Sequence, residues 1–501
     1  MNAALDQYAL FVPRRKYLAP WRPGTRLNVD SFAGGGGVSE GAKQAKVAVH
    51  IAFNHNREAM AMHLANHPDT VHYCEDAWDV DPEEACAGFE VDSFWLSPDC
   101  TYHSRARGGK PFRDSRRAKR TRGLAWLAIH WAKTKRPRII RLENVCEFAD
   151  WCPLREDGTP DPVKKGFTFR RFVRMLQNLG YVVDWRELCA ADYGVPTSRV
   201  RLFLIARRDG KPIVWPQPTH GPGRLPIRTS GECIDWRTPC PSIFEPGRNL
   251  VDATLRRIAR GLRKYVIETP NPYVVELGSD PTAPAGRRLI GATLIQTSYG
   301  ERRGQAPRVP GLDKPLGTIV AGGIKHALVT AFLAKNYGGH ESSGTSMFAP
   351  VDTITTRDHN ALVTARLEPY GSPERVRAFL MEYYGTDQNP SLREPLRTIT
   401  TRDRFAIVMV HGEEYTITDI GMRLLTPREL FRAQGFPEDY IIDHGIFEDD
   451  FGVRRKMPFS KSTQVRLCGN SVPPPLVKAL MEADLMAETT PIPRYATGSL
   501  F

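Results

Sequence analysis

The first 210 residues alternate between short apolar runs and amphipathic runs, and this alternation constrains the fold more than any other feature of the chain. Helical patterns, clearest at Arg57–Asn66 and Phe169–Leu179, separate runs that are typical of β-strands. The strand-like runs are Leu27–Phe32, Val47–Phe53, Ser93–Leu96, Arg138–Leu142, Tyr181–Glu187 and Val200–Ala206. Alternation at this spacing predicts an α/β fold with a doubly wound, mostly parallel sheet.

The texture of the chain changes after residue 208. Prolines and glycines become dense and strand-like runs become short, and helical patterns return only at Pro427–Gln434 and Leu476–Glu488. We therefore expect four segments: an N-terminal extension (1–26), the first part of the α/β domain (27–209), an inserted, mostly β or irregular domain (210–420), and a segment that completes the α/β domain (421–501).

The inserted segment contains an internal repeat. Its copies are Pro350–Val363, Pro395–Val408 and, more weakly, Pro315–Val329. Each copy ends in a strand-like run with a polar lead-in. The repeat predicts either hairpins that stack on their neighbours or a surface that presents Arg357 and Arg402 to a ligand, and the sequence leaves both open.

Charge indicates a polyanionic partner. The chain has 69 Lys and Arg against 56 Asp and Glu, a net charge of +13, which is typical of proteins that bind nucleic acid. Its apolar runs are too short to cross a membrane, no secretory leader is visible, and no cysteine spacing matches a zinc site. We expect a cytoplasmic protein with free thiols, no membrane contact and no metal. In the N-terminal extension, Arg14-Arg15-Lys16 would either cover a sheet edge or contact the nucleic acid.

The first strand runs into a glycine-rich turn at Phe32–Gly37. Glycines at a strand-to-helix turn let a cofactor approach the backbone closely. The third glycine of the pyrophosphate fingerprint is missing, because Ser39 and Glu40 follow instead. A nucleoside cofactor without a pyrophosphate therefore fits better than NAD. Asn54 and Asp76, near the ends of the next two strands, are candidates to bind it.

The fourth strand leads to Pro98-Asp99-Cys100. A cysteine just beyond the carboxyl end of a parallel strand lies where open sheets place their chemistry. The stretch from 105 to 122 then carries nine Lys and Arg residues around Gly108-Gly109. Such a stretch is suited, as a mobile loop, to a phosphate backbone.

A carboxylate and two guanidiniums complete the candidate catalytic set. Glu143 ends the next strand, and Arg199 and Arg201 open the last one. Alternate residues of a strand point to the same face. A thiol, a carboxylate and paired guanidiniums on one edge indicate nucleophilic attack on an aromatic base with acid and cation support. The candidate catalytic residues are Cys100, Glu143, Arg199 and Arg201.

In this order the motifs resemble those of the cytosine-5 DNA methyltransferases, a family with a Rossmann-like methyltransferase sheet. Phe32–Gly36 resembles the family's cofactor turn and Cys100 its Pro-Cys nucleophile. The remaining matches are Glu143-Asn144-Val145 with Glu-Asn-Val, Arg199 and Arg201 with Gln-x-Arg-x-Arg, Arg423–Pro437 with the ninth motif, and Gly469–Pro473 with the tenth. The likeness covers about residues 27–208 and 420–485.

The resemblance implies S-adenosylmethionine as the methyl donor and a cytosine flipped out of double-stranded DNA. Cys100 would attack carbon 6 of the base, Glu143 would hold ring nitrogen 3 and the exocyclic amine, and Arg201 would hold the base oxygen. Segment 210–420 would be a target recognition domain that reads base edges in the major groove. A monomer is expected, because one chain carries every motif.

The same resemblance extends to the binding residues. Those expected at the cofactor are Phe32, Ala33, Gly34, Gly36, Gly37, Asn54, Asp76, Pro98, Asn470 and Ser471. Those expected at the DNA are Arg105, Arg107, Lys110, Arg357 and Arg402.

The chain departs from the family pattern at several places. Asp99 stands where the family usually has Pro, and its carboxylate should raise the pKa of the Cys100 thiol unless a cation offsets it. Thr101 and Thr197 each replace a Gln, and Asn54 stands where a ribose-binding Glu is expected. These differences suggest a divergent branch, of a phage or mobile-element type.

Two other functions remain open from the sequence. A tRNA cytosine-5 methyltransferase would use the same chemistry, although segment 210–420 is large for a protein that reads one RNA loop. A catalytically silent DNA-binding homologue would have no need of Cys100, Glu143 and Arg201 together. Modification with a non-methyl donor is a further possibility.

Overall fold

A seven-stranded sheet forms the centre of the computed structural model. The described residues are 20–104, 115–247, 249–277, 288–296, 305–319, 321, 325–335, 373–384, 407–410, 413–449 and 451–489. The strands of the central sheet are β1 (Leu27–Ser31), β2 (Ile51–Phe53), β3 (Val71–Tyr73), β4 (Val91–Leu96), β5 (Ile139–Asn144), β6 (Val182–Cys189) and β7 (Val200–Arg207).

The strand order is β3-β2-β1-β4-β5-β7-β6. Strands β1 to β5 are parallel, and β7 runs antiparallel to both β5 and β6. The doubly wound, mostly parallel sheet predicted from the sequence is therefore confirmed. Because the order reverses between β1 and β4, the switch point, where such sheets bind ligands, lies between the glycine-rich turn and the Cys100 segment.

Six helices accompany these strands in the described part of the first 210 residues. They are α1 (Gly37–Gln44), α2 (Arg57–Asn66), α3 (Pro82–Cys86), α4 (Ser115–Arg122), α5 (Leu127–Thr134) and α6 (Phe167–Asn178). The bounds predicted for α2 are those observed. Strand β2, however, begins four residues later than predicted, because the chain leaving α1 first turns through Lys46 (φ 60°) and the Val47 amide donates to the Ala42 carbonyl (2.9 Å).

The inserted segment contains a five-stranded antiparallel sheet. Its elements are α7 (Asp252–Leu262), β8 (Val274–Leu277), β9 (Arg288–Gln296), β10 (His326–Lys335), α8 (Pro373–Tyr384), β11 (Ile407–Val410) and β12 (Glu413–Leu424). The order is β11-β12-β10-β9-β8. The strands that end two of the repeat copies, β10 and β11, flank β12 on either side. The boundary predicted at residue 420 falls inside β12.

The chain then returns to the central sheet. The returning elements are α9 (Pro427–Ala433), β13 (His444–Glu448), β14 (Arg454–Pro458), α10 (Lys461–Asn470) and α11 (Pro474–Thr489). Helix α11 packs on α1 through Val477 and Leu480. Its buried Asp484 forms ion pairs with Arg141 of β5 and Arg207 of β7, which fasten the end of the chain to the sheet.

Three apolar cores hold these layers together. One lies between the sheet and helices α3, α5 and α6, where Trp131 stacks on Phe94 with ring centroids 4.4 Å apart. A second lies under α1 and α11 on the other face. The third runs from the antiparallel sheet through α9 and α10 to Met62 of α2, so the inserted segment and the returning segment share one core. Among the described helices, none is long and apolar enough to cross a membrane.

Candidate active site

The direction of β7 brings the candidate catalytic residues to one rim. Leu202 and Phe203 pair with Asn144 and Glu143 of β5, so the residues that open β7 lie beside those that end β5. In a wholly parallel sheet, Arg199 and Arg201 would lie at the opposite edge. The buried Asn144 side chain donates to the Pro98 carbonyl (3.0 Å), which ties the end of β5 to the segment that carries the thiol.

Glu143 is buried between two arginines without being saturated by them. Its Oε1 lies 3.3 Å from Arg201 Nε and 3.9 Å from Arg199 Nη2. These are ion-pair distances, yet no described residue gives Oε1 a hydrogen bond. A buried polar atom in this state costs free energy unless a ligand or water completes it. Glu143 Oε1 is thus available to a donor that enters the site.

Arg199 is held in place from two distant parts of the chain. Its Nη1 donates to the Ile319 carbonyl (2.8 Å) and to the Gly469 carbonyl (3.0 Å). Burial, and then the neighbouring Arg201, lower the pKa of Arg199, although a guanidinium remains charged in proteins. The two carbonyls fix its planar head next to Glu143.

The weak repeat copy supplies the Ile319 carbonyl. Leu316 forms a parallel β-bridge with Thr197, and its amide donates to the Pro196 carbonyl (2.8 Å). The buried Thr197 hydroxyl donates to the Gly317 carbonyl (3.0 Å). At this departure from the family pattern, Thr197 thus anchors the repeat segment behind Arg199, a contact that the sequence did not reveal.

The Cys100 thiol is partly buried and lies within the same charge cluster. Burial raises its pKa most, and Glu143 and Asp99 raise it further, whereas Arg201 and Arg199 lower it. The upward influence of Asp99 expected from the sequence is therefore present, but it is smaller than that of burial. The Asp99 carboxylate accepts hydrogen bonds from the amide (2.7 Å) and the hydroxyl of Thr101, so these two departures form one local turn.

The glycine-rich turn packs against the returning end of the chain. Phe32 and Gly34 have positive φ angles of 59° and 53°, a conformation that a non-glycine residue adopts only at a cost. A Cβ on Gly36 would collide with the Tyr440 hydroxyl, and one on Gly37 with the Val472 carbonyl. Glycine is therefore needed at both positions for packing, in addition to any cofactor contact.

The other predicted cofactor residues lie around this turn in different states. Ala33 is buried, with its amide donating to Phe53 of β2 (3.3 Å), and Pro98 is buried. Asn470 is exposed. Ser471 is buried, and its hydroxyl donates to the Leu467 carbonyl (2.8 Å).

Asn54 and Asp76 both have partners within the chain. The Asn54 side chain accepts from the Asn56 amide (2.9 Å), an Asx turn that leads into α2. Asp76 forms an ion pair with Arg120 of α4 (2.9 Å). No observation contradicts their assignment to the cofactor, which stays a prediction.

The cationic stretch 105–122 is not a loop throughout. Its second half forms helix α4, favoured by the strong helix propensity of Arg, Lys and Ala and anchored by the buried Ala118. Arg122 is also buried, and it donates to the carbonyls of Tyr102 and Cys152 (2.8 Å each). The expectation of a loop up to residue 122 was therefore wrong from Ser115 onward. The residues predicted at the DNA, Arg105, Arg107, Lys110, Arg357 and Arg402, lie outside the described residues.

Sequence reasoning missed several residues that hold the site together. Tyr440 is buried, and its hydroxyl donates to the Gly35 carbonyl (2.7 Å). Glu429 and Arg423 form a buried bidentate pair (2.6 and 2.8 Å) under the ninth motif. The Thr426–Glu429 capping box was the available sequence signal for that carboxylate.

The remaining titratable and thiol groups are structural. No disulfide forms among the nine cysteines, all of which are described. His103 packs edge-on against Phe148, and burial lowers its pKa to about 3. Within the described ranges, no group of three or more His, Cys, Asp or Glu side chains is placed to hold a metal ion.

A glycine-rich turn and a thiol on either side of the switch point are typical of α/β enzymes in which cofactor and substrate meet at that edge. Comparison with known proteins defines the enzyme further. The family model for C-5 cytosine-specific DNA methylases matches residues 28–229 and 374–484, more than half of the chain. The chain belongs to this family, and it is a DNA cytosine-5 methyltransferase.

Curated relatives and solved structures accompany this match. Type II methyltransferase M.AgeI of Thalassovita gelatinovora is 25% identical over 482 residues, which cover 91% of this chain and 98% of the relative. Type II methyltransferase M.XorII of Xanthomonas oryzae pv. oryzae is 30% identical over 204 residues, 38% of this chain and 43% of the relative. The S. pombe Dnmt2 methyltransferase structure aligns with 93% of this chain and 100% of its own, with a TM-score of 0.48 and 15% identity.

Proposed function

We propose that the protein transfers a methyl group from S-adenosylmethionine to carbon 5 of a cytosine that is flipped out of a specific duplex DNA sequence, through a covalent adduct with Cys100. The observation that carries this proposal is the cluster on the rim of the sheet, where Glu143 has a buried, unpartnered oxygen between Arg199 and Arg201. The Cys100 thiol lies in the field of these charges.

Glu143 and Arg201 would bind the flipped base by its polar edge. The unpartnered Oε1 of Glu143 is an acceptor for the exocyclic amine of cytosine, and a protonated carboxyl would donate to ring nitrogen 3. Arg201 would hold the base oxygen. Withdrawing electron density through nitrogen 3 makes carbon 6 more electrophilic, so that the Cys100 sulfur can attack it and place the displaced electron pair on carbon 5.

The two arginines also act on the nucleophile. Because the thiolate is the reactive form, burial and Glu143 oppose the reaction by raising the pKa of Cys100. Arg201 and Arg199 favour the thiolate, and Arg199 is fixed in position by the carbonyls of Ile319 and Gly469. After carbon 5 receives the methyl group, a base removes its proton and the Cys100 sulfur leaves, which restores the aromatic ring.

The residues around the glycine-rich turn fit a nucleoside donor. Gly34 has a left-handed φ, and a Cβ there would meet only ordinary contacts at 3.6 and 3.8 Å, so its surroundings are open in a way that those of Gly36 and Gly37 are not. Phe32 and the exposed Asn470 border the same turn, and Asp76 follows β3. When bound, S-adenosylmethionine supplies an electrophilic methyl group. These residues would bind and orient it.

The inserted segment 210–420 would then serve as the target recognition domain, and segments 27–209 and 421–501 as the catalytic domain. We propose that Arg105, Arg107, Lys110, Arg357 and Arg402 contact the DNA, and that the protein acts as a monomer. The shared core between the inserted sheet and α9 and α10 supports a recognition domain that is firmly attached to the catalytic one.

Expression in a bacterial host without DNA methylation tests the proposal. Nucleosides from host DNA and host tRNA are quantified by mass spectrometry, with Cys100→Ala as the control variant. We expect 5-methylcytosine in DNA only when Cys100 is present, and bisulfite sequencing of the same DNA then gives the target sequence.

Other results would contradict parts of this proposal. A mark in tRNA with unmodified DNA would move the activity to RNA, and a heavier cytosine adduct would indicate a different donor. A soluble, folded protein that marks neither nucleic acid would be a silent homologue. Methylation that persists in Cys100→Ala would exclude the covalent mechanism.

A further inference from the structure

A groove runs along the outer edge of the central sheet, away from the candidate active site. It is a cavity of about 830 Å³ between β3, helix α2 and strand β13. Its floor is apolar and includes Leu64, Val80 and Phe447. None of the predicted catalytic or cofactor residues is among the described residues that line it.

One wall of this groove is an edge strand whose backbone faces outward. The Val71 amide donates to the His50 carbonyl, and the Tyr73 carbonyl accepts from the Asn54 amide. Both residues therefore direct their main chain toward β2. Because the backbone groups of neighbouring strand residues point to opposite sides, those of His72 point into the groove. Edge strands of this kind are templates for an added strand.

The charge of the groove is opposite to that of the protein. Seven of the described lining residues are acidic, among them Asp69, Glu75, Asp79 and Glu84, and two are arginines. The whole chain carries +13. An acidic groove repels the phosphates of DNA and attracts a basic peptide.

The N-terminal segment is a basic peptide that starts at this groove. Pro20 is one of the lining residues, and Trp21 is fixed by edge-on contacts with the rings of His50 (6.1 Å) and Phe89 (5.6 Å). The preceding 19 residues contain the apolar run Ala9–Val12 followed by Arg14-Arg15-Lys16. Its composition matches an apolar floor with an acidic rim.

We propose that residues 5–19 dock in this groove and add an antiparallel strand to β3. The direction follows from Pro20 and Trp21, which lie where β2 and β3 begin, so the preceding residues must run back toward the carboxyl ends of these strands. Arg14-Arg15-Lys16 lie four to six residues before Pro20, a reach of roughly 13–20 Å in an extended chain. This places them beside Glu75 and Asp79. The segment thereby covers an otherwise open sheet edge.

Cys74 provides a built-in probe of the docked state, because it is exposed and lines the groove. Its rate of alkylation in the full-length protein is measured by peptide mass spectrometry, which separates it from the other thiols. Reversal of the three charges (Arg14→Glu, Arg15→Glu, Lys16→Glu) should accelerate Cys74 alkylation by about fivefold or more, as expected when a local contact opens. The charge-preserving variant (Arg14→Lys, Arg15→Lys, Lys16→Arg) should react like the native protein.

Cross-linking tests the register of the added strand. A cysteine at Tyr17 (Tyr17→Cys) should form a disulfide with Cys74 within one chain under mild oxidation, whereas Asn2→Cys should not. Disulfide-linked dimers would assign the groove to a second copy and overturn the proposal. Unchanged Cys74 alkylation in the charge-reversal variant, with weaker binding of duplex DNA, would assign Arg14-Arg15-Lys16 to the nucleic acid and overturn it as well. Neither readout depends on methyl transfer.

Discussion

Two buried glutamates, each beside a buried arginine, have opposite hydrogen-bonding states in this protein. Both oxygens of Glu429 are saturated: Oε1 accepts from Arg423 (2.6 Å) and the Asp235 amide (2.8 Å), and Oε2 from Arg423 (2.8 Å) and the Thr426 amide (2.6 Å). Glu143 Oε1 has only ion-pair contacts, at 3.3 and 3.9 Å. Residue type and burial are the same, so the hydrogen bonds alone distinguish a structural carboxylate from one that is kept for a ligand.

Replacing Glu143 is expected to have the largest effect on catalysis. Glu143→Gln keeps the size of the side chain but removes the charge and the proton that it would share with the base. Methyl transfer should fall by about 10²- to 10⁴-fold, the usual contribution of an acid–base group. Single-turnover methylation of the identified target duplex measures this loss.

The matched change at the other glutamate should affect stability instead. Glu429→Gln breaks a saturated buried pair and weakens the cap of α9, and loss of one partner of such a pair costs about 3–5 kcal/mol. Urea denaturation should therefore show a larger loss for Glu429→Gln than for Glu143→Gln. Methyl transfer per folded molecule should stay near the native value. If Glu429→Gln lost activity while stability was unchanged, the comparison between the two carboxylates would fail.

The sequence predicted the catalytic rim because its information is local. Each of Cys100, Glu143 and Arg201 lies next to the end or the start of a strand, and strand ends follow from short patterns. The antiparallel direction of β7 was not predicted, although it is what brings Arg199 and Arg201 to the rim. Direction depends on pairing between distant segments, which periodicity does not report.

Long-range contacts also explain the other differences between sequence and structure. The glycines of the turn pack against Tyr440 and Val472, more than 400 residues away in the chain. Likewise, the repeat copy that begins at Pro315 had two open interpretations, stacking hairpin or ligand surface. Part of it instead pairs with Thr197 behind Arg199, a role that its own composition does not encode.

That contact provides a smaller test of how Arg199 is held. Thr197→Val preserves the shape of the side chain but removes its hydrogen bond to Gly317 and leaves a buried carbonyl unsatisfied, which costs about 1–3 kcal/mol. Because Ile319 lies two residues further on and binds Arg199, kcat should fall as well, with little change in KM for the donor. Thr197→Ser keeps the hydroxyl and should restore both stability and kcat. An equal loss in the serine variant would show that packing, and not the hydrogen bond, holds the segment.

The smallest expected effect concerns the thiol itself and separates reactivity from catalysis. Burial, Glu143 and Asp99 all raise the pKa of Cys100, so less thiolate is present at a given pH. Removing the exposed charge with Asp99→Asn should shift the pH profile of Cys100 alkylation to lower pH and accelerate alkylation near neutrality by about two- to fivefold, since an exposed charge contributes about 1 kcal/mol or less.

Glu143→Gln should accelerate alkylation more than Asp99→Asn does, because the Glu143 charge raises the thiol pKa more strongly than that of Asp99. In methyl transfer the two variants should diverge: Asp99→Asn should retain activity, whereas Glu143→Gln should lose it. A single effect of charge on the thiolate predicts that alkylation and methyl transfer change together in both variants. Only a carboxylate that also binds the base makes Cys100 more reactive and the enzyme less active when it is removed.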